Sequence, residues 1–211
     1  MTTYSFPSIT PTNSVITIIN NTKTFVSPLT GFTQTTSREG TRWGISMTFD
    51  NLQGDNRGIL RGFLAQLNGQ VHRAEIFDHS YVAARGALGA VVIVDGADQT
   101  GNSLTIKDGT GTTNITDFYK AGDYLSYSNG TNKELKMVTA DADMVSGVVI
   151  VPISPEIHVS PADLAAIDNT NPEGTFMLTE PVVDWSNRPG QQAGAVSPFS
   201  SFSIQFVEDI A

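Results

Sequence analysis

The feature that most constrains the fold is a change of hydrophobic period within residues 42–78, RWGISMTFDNLQGDNRGILRGFLAQLNGQVHRAEIFD. At the start of this segment, large apolar residues alternate with small or polar ones. A period of two is typical of a strand with one face in a core. We therefore predict a strand whose core face carries Trp43, Ile45, Met47 and Phe49.

The same segment then changes to the period of a helix. Apolar residues recur three and four positions apart, and we predict a helix over about residues 56–68. Asp55 or Asn56 can cap its start, and Gly69 can follow its end in a left-handed conformation. The apolar face, which we expect to lie in the core, is formed by Leu60, Phe63, Leu64 and Leu67.

Two hairpins are predicted in the first fifty residues. Residues 14–19 and 22–26 flank two asparagines, and residues 31–36 and 41–49 flank a turn that contains Gly40. Each pair has the β-branched and aromatic composition of strands around a short turn. We expect the two members of each pair to be hydrogen-bonded to each other.

The C-terminal segment alternates in the same way as the strand at residue 42. Its large residues on one face are Phe202, Ile204 and Phe206. We predict that this strand returns to the N-terminal sheet, so that residues 1–85 and 181–211 form one domain around the helix. Residues 86–180 contain short apolar runs between turns, which predicts an inserted, small all-β domain. The fold class is therefore mainly β with one core helix.

Charge is distributed unevenly along the chain. Residues 1–85 carry seven Lys or Arg and five Asp or Glu, whereas residues 86–211 carry five and sixteen. The two parts are expected to face different neighbours, or the acidic part is simply solvated. An acidic chain gains little from a phosphate backbone, so we expect no specific nucleic-acid binding.

No pattern for catalysis, metal binding or cofactor binding stands out. The aspartates of residues 95–102 and 141–143 lack the closing glutamate of a calcium loop and are typical of turns. The glycines of residues 86–90 precede a strand, whereas a dinucleotide loop precedes a helix. No nucleophile elbow accompanies the histidines, which are His72, His79 and His158. We predict a protein that is not an enzyme and that holds no metal or cofactor.

The sequence also lacks the marks of a membrane or disulfide-bonded protein. No apolar run approaches the ~20 residues that a membrane helix needs. The N-terminal segment has neither the basic nor the apolar region of a secretory signal, and there is no cysteine. We expect a soluble protein without membrane insertion.

Several segments together resemble the distal tail or minor tail proteins of long-tailed, siphovirus-type bacteriophages. These segments are RWGISMTF, FLAQLNGQ, VHRAEIFD and RGALGA, followed by residues 121–141 and 148–157. The helix matches the family pattern AFLAxLxG at Phe63, Leu64, Ala65, Leu67 and Gly69. The resemblance covers most of residues 40–208 in order.

The resemblance implies a tail-tube-like β-sandwich domain that assembles as a ring, commonly a hexamer, between the tail tube and the tip or baseplate. Some relatives carry an inserted domain of the oligonucleotide/oligosaccharide-binding (OB) type or a lectin-like one. It further implies a virion protein, made in the cytoplasm of the host bacterium, whose partners are its own copies, the tail tube protein and the tail tip or hub proteins. The family has no catalytic residues to transfer to this chain.

Four arginines are candidates for the interface between copies, because they lie off the apolar faces and can pair with acids of a neighbour. They are Arg42, Arg57, Arg61 and Arg73. Gly58 and Gly62 each cost the helix roughly 1 kcal/mol relative to Ala, which indicates close packing against a neighbouring surface. The acidic part would then face outward, or line a channel where repulsion keeps passing DNA from adhering.

Two other functions stay open at the level of sequence. A carbohydrate-binding module for host-surface glycans is indicated by aromatic residues near polar loops, namely Tyr119, Tyr124 and Tyr127. A hydrolase needs two facing carboxylates, and the sixteen acids of residues 86–211 single out no pair.

Overall fold

The computed structural model describes residues 1–89, 91–188 and 199–210. These residues form a mainly β fold with one helix, and the predicted fold class is confirmed. The helix is α1 (Gly54–Leu67). The strands are, in chain order, β1 (Thr3–Ser5), β2 (Asn13–Ile19), β3 (Thr22–Val26), β4 (Thr33–Ser37), β5 (Arg42–Leu52), β6 (Arg73–Ile76), β7 (Val92–Val94), β8 (Gly101–Asp108), β9 (Ile115–Tyr119), β10 (Tyr124–Ser128), β11 (Lys133–Val138), β12 (Ala142–Met144), β13 (Val148–Ile157), β14 (Ile167–Asp168), β15 (Gly174–Leu178), β16 (Trp185–Arg188) and β17 (Phe199–Glu208).

A seven-stranded sheet unites the two ends of the chain. Its order is β1-β6-β15-β17-β5-β2, and β16 also pairs with β17. β1 runs parallel to β6, and the other pairs are antiparallel. In the β5–β17 ladder Ile204 faces Met47 and Phe206 faces Ile45, so the apolar residues of both strands share one face of the sheet.

The helix packs against this sheet and completes the first core. Its residues Leu60, Phe63, Leu64 and Leu67 are buried in the same cluster as Trp43, Ile45, Met47, Phe49, Phe202, Ile204 and Phe206. The helix begins at Gly54 after an N-cap at Gln53 that makes no side-chain hydrogen bond, so neither Asp55 nor Asn56 caps it. Asn68 ends it in the left-handed region, and Gly69 follows with φ +62°.

The middle of the chain forms a second, six-stranded sheet with the order β14-β10-β11-β13-β8-β7. The two edges of this sheet meet, because the Val94 N–H donates to the Ala165 carbonyl (2.9 Å) and the Leu164 N–H donates to the Val94 carbonyl (3.1 Å). The sheet is therefore nearly closed into a barrel, which leaves little free edge. The OB type is a five-stranded class, and assignment to it stays a prediction.

The inserted region ends earlier than predicted. The sequence predicts a boundary at residue 180, but β15 pairs with β6 and with β17 in the seven-stranded sheet. The sequence of β15 has the same short apolar character as the barrel strands, and only its hydrogen-bond partners distinguish it. Residues 86–173 carry four Lys or Arg and twelve Asp or Glu, so nearly all of the net charge of −9 lies in the insertion.

Both predicted N-terminal hairpins are wrong in their pairing. β2 pairs with β5, and β3 pairs with β4 instead. β2 carries a half-buried alternation that matches the face of β5, whereas β3 and β4 have no buried residue. The hydrophobic pattern of β2 therefore outweighed the turn residues that follow it.

Candidate functional site

The most unusual surface of the protein is a two-stranded hairpin that stands apart from both sheets. We call the segment 22–37 the arm; it consists of β3, β4 and the loop of residues 27–32. All ten strand residues of the arm are exposed, and Thr22 to Val26 pair with Ser37 to Thr33. A hairpin that buries no face is marginally stable in water by itself.

The end of the arm carries large apolar side chains in solvent. The apolar tip consists of Phe25, Val26, Leu29 and Phe32, whose exposed fractions are 63%, 55%, 95% and 75%. The loop is held by hydrogen bonds from the Ser27 N–H to the Phe32 carbonyl and from the Gly31 N–H to the Ser27 carbonyl, both 2.9 Å. Gly31 has φ +70°, which a residue with a side chain rarely adopts. The tip is thus an ordered turn with a concentrated apolar surface.

The base of the arm is fixed to the body of the protein. The Asn21 side-chain amide donates to the Glu39 carbonyl (2.8 Å), and the Arg38 N–H donates to the Asn21 carbonyl (2.9 Å). The Gly40 N–H donates to Oε1 of Glu156 on β13 (3.0 Å). Beside this contact lies an open cleft of about 450 Å³, lined by Glu39, Gly40, Thr100, Gly101, Glu156, Ile157, His158 and Ile210.

The sequence contained a signal for the arm that the hairpin prediction overlooked. Residues 22–24 and 33–37 are Thr, Lys, Gln and Ser, so neither face of this hairpin can enter a core. The apolar residues are confined to the turn region. A strand pair that is polar on both faces and apolar at its end predicts a projecting element, not a core hairpin.

Three of the four candidate interface arginines make contacts within the chain. Nε of Arg57 donates to the Ser200 hydroxyl (2.7 Å), and the guanidinium of Arg61 lies 5.2 Å from the centre of the Trp185 ring. Arg73 forms an ion pair with Asp209 at 2.5 Å. Arg42 lies half-buried at the start of β5. The role of these residues in an interface stays a prediction.

The tyrosines that suggested glycan binding do not form a surface platform. Tyr119, Tyr124 and Tyr127 are all buried, and burial raises the pKa of each hydroxyl. The hydroxyl of Tyr119 donates to the Asn169 side chain, and that of Tyr127 donates to Glu134. These three aromatic residues are core residues and offer no exposed ring face on which a sugar could stack.

The acidic loops use their carboxylates to fix backbone turns. Asp141 accepts the Ala121 N–H (2.8 Å), and Asp143 accepts the Asp117 N–H (2.6 Å). Asp108 accepts the N–H groups of residues 110 and 111, and hydrogen bonds from the Thr113 hydroxyl and these groups lower its pKa to about 2. Within the described residues, no group of three His, Cys, Asp or Glu is placed to hold a metal ion.

The two sheets meet at a buried polar cluster. Glu208 of β17 accepts a hydrogen bond from the Trp43 N–H on β5 (3.1 Å) and another from the Leu135 N–H on β11 (3.2 Å). The Trp43 indole Nε1 donates to the Leu135 carbonyl (2.8 Å). One carboxylate and one indole therefore connect the seven-stranded sheet to the barrel.

A buried ion pair lies next to this connection. Nζ of Lys136 is 2.8 Å from Oε2 of Glu134, and both side chains are almost fully buried. Nζ also donates to the Glu156 carbonyl (2.6 Å). Burial alone raises the pKa of Glu134, but Lys136 and further hydrogen-bond donors outweigh burial and lower it. In the sequence this pair has only a weak signal, namely two opposite charges two residues apart, which share one face of a strand.

No family model matches the chain, and no curated protein matches it. Among the residues that the structure describes, no helix combines the length and the apolar character needed to cross a membrane.

Proposed function

We propose that this chain is a structural subunit of a phage tail tip, a distal tail ring protein that joins the tail tube to the tip or baseplate. The observation that carries the proposal is the arm, an ordered hairpin with an exposed apolar tip. The segments that resemble distal tail proteins support the same function from the sequence side. In this proposal the partners are further copies of the chain, the tail tube protein and the tail tip or hub proteins.

The energetics of the arm favour a partner surface. Full burial of one large apolar side chain is worth about 1.5–3 kcal/mol, and the tip exposes four. The entropy lost on ordering and association reduces the total free energy gained by burying these side chains. A monomer, whose tip stays in water, gains none of this free energy. Because the arm buries no face of its own, contact with another surface both removes the tip from water and stabilises the hairpin.

The dimensions of the arm suit contact with an adjacent copy. Five-residue strands extend about 17 Å, which is enough to reach across the side of a small domain. An arm on one face of a subunit and an acceptor on another face of the next copy form a head-to-tail contact. Such contacts form a ring when the rotation between neighbours closes, and a filament when it does not. A subunit of a ring needs no catalytic site, which agrees with the structural use of the carboxylates.

Self-association of the purified chain tests the proposal. Size-exclusion chromatography with light scattering is performed over a wide concentration range on three proteins. They are the wild type, an arm variant with Phe25, Leu29 and Phe32 each changed to Ser, and a control with Val145, Ile150 and Leu164 each changed to Ser. The control removes three exposed apolar side chains from the inserted region instead. We expect a discrete oligomer for the wild type and the control, and a monomer for the arm variant.

The place in the virion needs a separate experiment. Negative-stain imaging of long-tailed phage particles with an antibody against this chain should label the distal end of the tail tube. Labelling elsewhere on the particle, or a control variant that dissociates as fully as the arm variant, would contradict the proposal.

A further inference from the structure

Glu208 occupies an unusual position for a carboxylate. Its side chain is 1% exposed, and its two oxygens accept N–H groups from different sheets. Oε2 accepts the Trp43 N–H, and Oε1 accepts the Leu135 N–H. The residue therefore bridges the two layers of the protein through a single carboxyl group.

The charges around Glu208 do not balance when it is ionised. Lys136 of β11 supplies one positive charge, and it already pairs with Glu134 at 2.8 Å. Glu134 is further held by the Tyr127 hydroxyl, the Asn129 amide and the N–H of Val159. An ionised Glu208 thus adds a second carboxylate to a buried site with one ammonium group, which is costly in a low-dielectric interior.

The groups that act electrostatically on Glu208 come from the barrel side. They are Lys136 and Glu134 of β11 and Tyr127 of β10, while β5 contributes the backbone N–H of Trp43. Burial raises the pKa of Glu208 to about 7, and Lys136 and the two N–H groups offset part of that effect. Glu134 adds to the increase.

We propose that Glu208 is a proton-dependent joint between the seven-stranded sheet and the barrel. When ionised, it holds both N–H groups with charge-assisted hydrogen bonds but leaves an excess negative charge in the core. When neutral, it removes the excess charge, but its hydroxyl oxygen is the weaker acceptor, so one of the two connections loosens. The strength of this connection between the layers then depends on one proton. This inference does not depend on the proposed ring.

The protonation of Glu208 makes the stability of the protein depend on pH with a definite sign. The pKa of Glu208 in the folded protein lies above the ordinary value of 4.5, so folding favours the neutral form. The contribution of Glu208 to the stability of the folded protein is present in full below pH 4.5, the ordinary pKa of a glutamate. This contribution is lost as the pH rises through about 7, the pKa of Glu208 in the folded protein. His79 and His158 have lowered pKa values, chiefly through burial, and act in the opposite direction.

Thermal unfolding of three proteins from about pH 5.5 to about pH 8.5 tests this inference. The wild type is compared with Glu208→Gln, which stays neutral, and with Glu180→Gln, a control at an exposed glutamate. We expect the Tm of the wild type and of the control to fall, relative to Glu208→Gln, by on the order of 5 °C across this range. Parallel pH profiles for all three proteins would overturn the inference.

A second measurement keeps the test decisive if Glu208→Gln does not fold. Trp185→Phe leaves Trp43 as the single tryptophan, and His158→Gln removes the imidazole of a residue whose backbone N–H donates to Glu134. We expect the emission of Trp43 in this double variant to titrate with a midpoint near the Glu208 pKa of about 7. Emission that is constant across that range would also overturn the inference.

Discussion

The indole of Trp43 donates a 2.8 Å hydrogen bond to the carbonyl oxygen of Leu135, and this bond joins the seven-stranded sheet to the barrel. The two residues are 92 positions apart in sequence. Leu135 itself belongs to the first core, although it lies on a barrel strand. The inserted region is therefore packed into its host domain and shares a core with it.

Trp43→Phe should lower the free energy of unfolding by about 1–3 kcal/mol, because the buried Leu135 carbonyl loses its partner. Urea unfolding followed by circular dichroism measures the change. Trp185→Phe is the matched control, since Trp185 is partly exposed, whereas Trp43 is buried. An equal loss in both variants would show that the hydrogen bond is not the cause.

Lys136→Met should destabilise the protein by about 3–5 kcal/mol, because it leaves Glu134 buried without its counter-ion. Lys107→Met is the matched control. Lys107 pairs with Asp95 at 2.6 Å at a more exposed position, where water screens the pair and a much smaller loss is expected. Denaturant unfolding measures the loss of stability in each variant. Similar losses in Lys136→Met and Lys107→Met would contradict the assigned role of burial.

Gly86→Ala and Gly58→Ala should change stability in opposite directions. A Cβ at Gly86 would lie 2.3 Å from the Phe118 carbonyl oxygen, so the backbone must shift. A Cβ at Gly58 meets nothing within 4 Å, and Ala is favoured over Gly in a helix by about 1 kcal/mol. We expect a clear fall in Tm for Gly86→Ala and a small rise for Gly58→Ala. A rise for both variants would refute the close approach at Gly86.

His79→Gln should reduce the loss of stability in mild acid. Burial lowers the pKa of His79, whose ring stacks on Phe77 with centroids 4.3 Å apart. Its contribution is therefore present in full above the ordinary value of 6.5 and is lost as the pH falls through the lowered pKa. The pH dependence of the urea midpoint, compared with that of the wild type, measures the effect. An unchanged acid slope would contradict it.

The faces of the main elements follow from sequence alone. Alternation in β5 puts Trp43 and Phe49 on one side, because successive side chains of a strand point to opposite faces. Helical spacing does the same for Leu60 and Leu67. These periodicities are local properties of the chain, and all eleven residues expected in the core are buried.

The local sequence does not determine which strands pair with each other. Asn20 and Asn21 have the composition of a hairpin turn, yet β2 pairs with β5 across the arm. β15 has the character of a barrel strand, yet it pairs with β6 and β17. A strand presents the same backbone donors and acceptors to any neighbour, so the choice depends on which apolar face has to be covered.

The candidate functional features divide in the same way. The sequence determined that the arm has no core face, since residues 22–24 and 33–37 are polar on both sides of the hairpin. Only the tertiary structure decided that its tip stands in solvent and that Glu208 and Lys136 are both buried. Burial of a charge depends on residues more than 70 positions away, such as Leu135 and Glu208, which are 73 apart. The electrostatic environment of a group is set by distances in space, and no local pattern in the chain records them.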